Sequence, residues 1–375
     1  MDEQYTLRLK NIEAVIDRWL PENAGTEAAG NASSFWQKEV FPGLADIDTT
    51  LMQALTSPGR DLVSRGGKRW RPLLMVLVCE ALGGRDAALP LVPLVEFSHN
   101  ATLVHDDIED NSAERRGKSA VHLLYGTDVA INSGSFMYFL APACINSWAA
   151  GLESKEGLSE TDAELAKAKV YGLWAGFMRK LHLGQATDIH WHRNFDLIPS
   201  ADEYYWMCGL KTGCLARFAA ELGVLTADIA AKASGNTGLL LAGWMGGAAE
   251  KLGVGFQILD DVKNVSGEGI LGKSRGDDIV EGKKSLPILL FLHRWPEKKE
   301  MVRRCFRQAR ANGVSAPEVE ELIQELASSG VLAEAEARAK TFIAEAREVF
   351  TISQPAIPWA AEGRKLLAGF VDLIG

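Results

Sequence analysis

The stretch HDDIEDNSAERRG (105–117) packs four carboxylates into five positions and follows them with two adjacent arginines. If this stretch is helical, Asp106 and Asp110 share a face, Asp107 lies beside them, and Glu109 points elsewhere. Three oxygen ligands on one side suit Mg²⁺, a hard cation that keeps waters and bridges readily to phosphate. The plainer reading is an acid-rich, solvated helix end, because runs of charge usually sit at the surface. Two features weigh against it. The preceding LVPLVEFSHNATLV (91–104) is mostly apolar, and acids at a helix C-terminus oppose the helix dipole. Local conflicts of this kind gather at functional sites. A second cluster repeats the pattern. In GFQILDDVKN (255–264), Asp260, Asp261 and Asn264 have the spacing of Asp106, Asp107 and Asp110, again after an apolar run.

Cations accompany both clusters. GGKRWRP carries Lys68, Arg69 and Arg71, and Arg115 and Arg116 follow the first acidic run. Lys211 lies in GLKTG, Lys273 in GKSRGDD, and Lys283 and Lys284 in EGKKSLP. Any one of these runs alone reads as a solvated loop. Together, carboxylates that bind Mg²⁺ and side chains that bind phosphate describe a diphosphate site.

Helices must position these groups. Apolar residues at i, i+3 and i+4 dominate, in RPLLMVLVCEALGG, PLVEFSHNATLVHDDI, YGLWAGFMRKLHLGQATDIHW and EGRKLLAGFVDLIG, and alternation of period two is scarce; the pattern predicts an all-α fold of roughly a dozen helices. Breakers place loops at 64–72, 111–120 and 266–278, and a polar surface insertion at 151–162. The apolar runs at 73–82 and 238–249 read as core helices. No composition shift or repeat divides the chain, so one domain over 1–375 is expected.

The composition excludes several classes. Of 375 residues, 47% are hydrophobic and the net charge is −9, which argues against a general nucleic-acid binder. The five cysteines form no CxxC pair and suit a reducing compartment and core packing. The N-terminal stretch lacks the layout of a secretory signal, and no apolar run approaches the ~20 residues of a membrane span. A cytoplasmic location is the expectation. His190 and His192 in DIHWH are two apart and do not share a helix face, so surface or packing roles are expected for them. The tryptophans read as packing residues.

Taken together, GGKRWRP, HDDIEDN with RRG, GQATDI, LKTG, FQILDDVKN and GDDIVEGKKSLP resemble the trans-isoprenyl diphosphate synthases, or polyprenyl synthetases. The resemblance is strongest over 66–287, and within the family it is closest to the geranylgeranyl diphosphate synthases. It implies a single isoprenoid-synthase domain, a helical bundle around a central cavity. It implies that Asp106, Asp107, Asp110, Asp260, Asp261 and Asn264 hold Mg²⁺, three ions in all, with an allylic diphosphate. Arg115, Lys211 and Lys273 would hold that diphosphate. Lys68, Arg71, His99 and Arg116 would hold isopentenyl diphosphate. Lys283 is a further substrate-binding candidate, and Thr212 and Gln257 would line the site. Asn264 stands where a third Asp is commoner, and Ser135 where many bacterial members have Asp.

The reaction implied is head-to-tail condensation. The allylic C–O bond ionises, isopentenyl diphosphate attacks, and proton loss restores an alkene, with the freed diphosphate as base. The allylic partners would be dimethylallyl, geranyl and farnesyl diphosphate. Small residues at Ala101 and Thr102 would let the chain pass, and Tyr138, Phe139 and His182 would form the floor for a twenty-carbon product. Farnesyl and longer polyprenyl products are the alternatives. A homodimer or dimer-based assembly is implied by resemblance alone. A class I terpene cyclase fits less well, because GGKRWRP and FQILDDVKN are the synthase forms. A non-catalytic subunit fits less well because both acidic motifs survive.

Overall fold

A computed structural model describes residues 3–22, 35, 38–44, 47–231, 237–267, 274–351 and 359–374. Its helices, in chain order, are α1 (Glu3–Trp19), α2 (Thr49–Ser64), α3 (Trp70–Ala81), α4 (Val92–Glu109), α5 (Val121–Tyr125) and α6 (Thr127–Leu140). They continue with α7 (Cys144–Glu156), α8 (Glu160–Arg193), α9 (Ala201–Cys208), α10 (Cys214–Ala230), α11 (Thr237–Ser266) and α12 (Asp277–Glu281). The last are α13 (Leu286–Arg294), α14 (Lys299–Asn312), α15 (Pro317–Ser328), α16 (Val331–Thr351) and α17 (Ala361–Ile374). The architecture is the expected all-α one, with more helices than the predicted dozen because short connecting segments also coil. Strand is confined, among the described residues, to a hairpin of two residues a side, Glu114–Arg115 with Lys118–Ser119.

Two cores hold the molecule together. The larger joins α1, α3, α4, α10 and α17, and α3 is buried almost all round, as its unbroken apolar run requires. The second gathers α13, α14, α15 and the first half of α16 around the C-terminal half of α11. The long helices α8 and α11 pass between them, and the cavity described below lies along these two.

Two sequence expectations need correction. The polar 151–162 segment is helical except at 157–159. Leu152 is buried and anchors the end of α7, Gly157 in the left-handed region (φ 64°) ends it, and the Ser159 side chain accepts from the Asp162 amide to start α8. One buried leucine and a good cap outweigh the breakers there. The 238–249 run is only partly core. Leu240 is 78% exposed, and complete burial is reached only in the second half, at Met245 and Ala249. The five cysteines are free and buried, as expected.

Candidate active site

The C-terminus of α4 and the hairpin after it carry the first acidic cluster. Arg65 reaches across from α2 and donates to the Arg115 carbonyl at 2.9 Å, fixing the hairpin. Arg115 then folds back onto the helix. Its Nε donates to Asp107 Oδ1 at 2.8 Å, and its Nη2 contacts both Asp107 and Asp106. Asp110 pairs with Lys283 at 2.9 Å. The side chains of Asp107 and Asp110 are each 1% exposed, so Asp106 alone of these three lines the cavity. Glu109, expected to point elsewhere, also lines it, and both Glu109 and Asp106 accept hydrogen bonds from Gln185 of α8, at 2.7 and 2.9 Å.

Glycines bring Lys211 to the same point. The GLKTG segment, Gly209–Gly213, is a π-helical turn between α9 and α10, a distortion common at functional sites. A Cβ on Gly184 would lie 2.7 Å from the Lys211 amide nitrogen, and one on Gly253 would lie 2.7 Å from Gly213 Cα. Only glycine lets α8 and α11 close on the turn at these positions. Lys211 consequently bridges Asp106, at 3.0 Å, and Asp188, at 2.6 Å. Burial works to lower the Lys211 pKa, but Asp106 and Asp188 outweigh it and hold the amine charged.

The second acidic cluster faces the first from α11. Asp260 is exposed toward the cavity. Asp261 is buried and already engaged. Its Oδ2 accepts from the Tyr204 hydroxyl at 2.6 Å and the Leu286 amide at 3.0 Å, and its Oδ1 accepts from Gln257 at 3.0 Å. Thr212 donates to Gln257 at 2.8 Å, so the π turn and the second cluster are tied together. Asn264 lines the cavity, but its side-chain oxygen accepts from the Asp278 amide at 3.3 Å and its carbonyl from Gly276 at 3.0 Å. It anchors the segment that leads to Lys283. Lys273 lies outside the described residues.

The third wall is built differently. Arg69 and Arg116 both sit at positive φ, 46° and 53°, a strained setting for residues other than glycine. Arg69 is neutralised by Glu96 and Glu13, each at 2.8 Å. Glu96 also accepts from Asn100 at 2.7 Å, and Arg116 donates to Asn100 Oδ1 at 3.2 Å. Arg71 lies over the Trp70 ring, 4.4 Å from its centre, with its buried Nε lacking a hydrogen-bond partner and Nη1 3.4 Å from His99 Nε2. Burial pushes Arg71 and Arg116 each down to about 10, partly countered by Glu96. Burial and the surrounding arginines push His99 well below its ordinary range, so the imidazole is neutral. Lys68 is exposed at the rim, beside Phe256.

These walls enclose a cavity of about 870 Å³. Below the charged mouth it is lined by Thr102, Leu103, Trp174, Met178 and Leu181. The floor expectations fare unevenly. Thr102 lines the cavity, whereas Ala101 is fully buried in the larger core and does not. At about 100° per residue, a position five before Asp106 is turned about 140° away from it, and one four before only about 40°. Tyr138 stacks on His105, with ring centres 5.3 Å apart, and meets His182 at 5.4 Å. Phe139 lines the edge of the cavity but is 75% exposed.

Among the described residues, no three His, Cys, Asp or Glu side chains converge as a metal cluster. The reason is visible: Lys211, Arg115 and Lys283 occupy the space between the carboxylates. The donor set nonetheless fits a hard dication. It is all oxygen and faces the cavity from two walls. Burial also pushes Asp110 and Asp261 each up to about 6, with neighbouring carboxylates adding to the shift, so the site is short of positive charge. Sequence reasoning missed Gln185, Asp188, Tyr204, Glu96 and Asn100. The GQATDI motif contained the first two, but their role depends on where α8 crosses the π turn. Trp70 and Trp174 were expected to be packing only, yet both line the cavity. His192 is buried, as a packing role implies.

The polyprenyl synthetase family profile matches residues 52–326, a span that contains every residue lining the cavity. The chain is 30% identical over 336 residues to geranylfarnesyl diphosphate synthase of Aeropyrum pernix, covering 88% of this chain and 96% of the relative. It is 33% identical over 252 residues to geranylgeranyl diphosphate synthase of Methanosarcina mazei, covering 65% and 69%. Its fold matches geranylgeranyl pyrophosphate synthase from Corynebacterium glutamicum, complexed with isoprenyl diphosphate and magnesium, with a TM-score of 0.73 and 24% identity over 96% of this chain and 97% of that one. No helix among the described residues is long and apolar enough to cross a membrane. With profile, relatives and fold in agreement over the cavity-bearing span, the chain belongs to the polyprenyl synthetase family of trans-prenyltransferases.

Proposed function

We propose that this protein joins isopentenyl diphosphate head to tail with allylic diphosphates, in one domain, to make geranylgeranyl diphosphate. The observation that carries the reading is the division of the cations. Arg115, Lys211 and Lys283 are matched to carboxylates and held charged by them, whereas buried Arg71 and half-buried Arg116 carry an excess of positive charge beside a neutral His99. The first group suits an anion that arrives with metal ions. The second suits a bare anion. Two different diphosphates on either side of an apolar cavity is what a condensation needs.

In this reading Asp106 and Asp260, which face the cavity, would hold Mg²⁺, three ions in all, with the allylic diphosphate, and Asp110, now buried on Lys283, would join them once that cation gives way. Asp107, Asp261 and Asn264 belong to the same clusters, and their present partners give them an orienting part. Bound Mg²⁺ supplies Lewis-acid stabilisation of the departing diphosphate. Lys211 and Arg115 add fixed positive charge where negative charge develops, the setting in which preorganised electrostatics contributes most. Lys283 and Lys273 would complete that end. Arg71, Arg116 and Lys68 would hold isopentenyl diphosphate, with neutral His99 offering a hydrogen bond. Thr212 and Gln257 orient Asp261 beside the reacting carbons. The apolar lining keeps water from the cation, and the freed diphosphate is the base that takes the proton.

The family resemblance supports the twenty-carbon product, and so does small Thr102 below Asp106, which leaves the cavity open downward. A homodimer would cover Phe139, Ile131, Leu123 and Leu183, which stand exposed on neighbouring helices. The test is incubation with labelled isopentenyl diphosphate and each allylic primer in turn, with product length read by chromatography. Twenty-carbon product from farnesyl diphosphate is expected. Absence of any label transfer would sink the reading.

A further inference from the structure

Asp110 is held less firmly than its counterpart carboxylates. It pairs with Lys283 at 2.9 Å, yet neither of its buried oxygens makes a hydrogen bond among the described residues. Asp261, by contrast, accepts hydrogen bonds from Tyr204, Gln257 and the Leu286 amide. Charge alone keeps Asp110 on Lys283, so a dication can take the carboxylate if the ammonium has somewhere to go. Lys283 is largely buried, and a buried charge stripped of its partner is strongly destabilising.

A second carboxylate is already in place. Buried Glu281 contacts the same ammonium, and Asp278 lies 3.9 Å from it. Glu281 is itself anchored at both ends. Its Oε1 accepts from the Ser112 hydroxyl at 3.1 Å, and its carbonyl accepts from Arg310 of α14 at 2.8 Å. Gly282, at φ 78°, turns the chain back after α12, and the Lys283 amide donates to the Asp278 carbonyl at 2.9 Å. Glu281 and Lys283 thus belong to one turn, whereas Asp110 and Ser112 belong to the segment that ends α4. Lys283 lines the cavity and Glu281 does not, so Glu281 can act there only through the lysine.

We propose that Glu281 is a positioning residue, the seat on which Lys283 stays when a divalent cation takes Asp110; this rests on the reading above of the cavity as a site for Mg²⁺ and diphosphate. In the exchange Asp110 gives up the ammonium and gains the metal, and Lys283 keeps Glu281 as its counter-ion. The hydrogen bond from Ser112 to Glu281 holds the turn against the first acidic cluster after the Asp110 pair has opened. The released ammonium therefore remains at the mouth, beside the anion that arrives with the metal. Without Glu281, Lys283 would stay on Asp110 and compete with the cation for it.

The experiment is Mn²⁺ binding to the full-length protein with inorganic diphosphate present. Free Mn²⁺ is read by electron paramagnetic resonance against a protein-free control, with a melting curve for each variant. Glu281→Gln keeps the shape and an acceptor for Ser112, and should weaken Mn²⁺ binding about tenfold, within the range of coupled pairs. In a Lys283→Gln background the same substitution should change binding by less than about twofold, because no ammonium is left to reseat. Equal weakening in both backgrounds would show that Glu281 supplies only negative charge, and overturns the exchange. Unweakened binding by a folded Glu281→Gln overturns it too. If Glu281→Gln fails to fold, Ser112→Ala decides the matter: it loosens Glu281 and should weaken binding in the same direction, and unchanged binding overturns the proposal. Wild-type protein that binds no Mn²⁺ with diphosphate overturns the reading of the site beneath it, an outcome distinct from binding that Glu281 does not influence.

Discussion

Arg71 and Lys211 carry like charge within one cavity, yet their surroundings assign them different work. Arg71 faces the cavity with an unpartnered Nε and an excess of positive neighbours, and Lys211 bridges Asp106 and Asp188. Arg71→Ala should raise KM for isopentenyl diphosphate about 10- to 150-fold, the loss of one charge-assisted contact, and leave KM for the allylic substrate nearly unchanged. Lys211→Ala should do the reverse and also lower kcat. Initial rates with each substrate varied in turn check this, and equal effects on both constants would refute the assignment. Asp110 and Asp261 give a pH signature. Their folded pKa values, pushed up to about 6, exceed the ordinary value near 4. The folded state therefore binds more protons in that window, and their contribution to stability is full below pH 4 and lost as pH rises through 6. In chelator, Asp110→Asn should flatten the fall of melting temperature between pH 4 and 6 relative to wild type. Parallel curves would contradict it. At this scale the sequence showed which residue types were present and at what spacing. It could not show that Arg115 folds back to bury Asp107, because that depends on Arg65 gripping the hairpin from another helix.

Helices were legible wherever apolar periodicity was long, as in α3, α4 and α8. Less visible were the places where one element meets another. The 151–162 segment coils because Leu152 finds a core, and Glu109 faces the cavity because α8 presents Gln185 to it. The π turn at Gly209–Gly213 was not foreseeable from spacing. Its glycines were present, but their reason is the approach of α8 and α11. Gly184→Ala tests that reason. The added Cβ would overlap backbone at 2.7 Å, so α8 must move off the turn, at about 1–3 kcal/mol. Chemical denaturation should show that loss, and kcat should fall with it as Lys211 and Asp188 separate. A fully stable, fully active Gly184→Ala would show that the close approach is not required.

Across the whole molecule, two cores hold opposite walls of one cavity, so metal, anion and chain sites are built by elements far apart in sequence. Fold class and family were legible because each motif ends or begins a buried helix. Depth was not legible, because which side chains line the cavity below Asp106 depends on how α8 lies against α4. The exposed Leu123, Ile131, Phe139 and Leu183 predict a dimer. Sedimentation should give twice the chain mass, and Phe139→Asp should shift the population toward monomer. A monomeric wild type at micromolar concentration would contradict this. The central claim, metal-assisted condensation between two separate diphosphate sites, is tested most directly by one titration. Incorporation of labelled isopentenyl diphosphate into farnesyl diphosphate is followed as Mg²⁺ rises from zero in chelated protein. No incorporation without Mg²⁺, and a saturating rise to a twenty-carbon product with it, is the predicted result. An equal rate in chelator, or no incorporation at any Mg²⁺ concentration, would contradict the account.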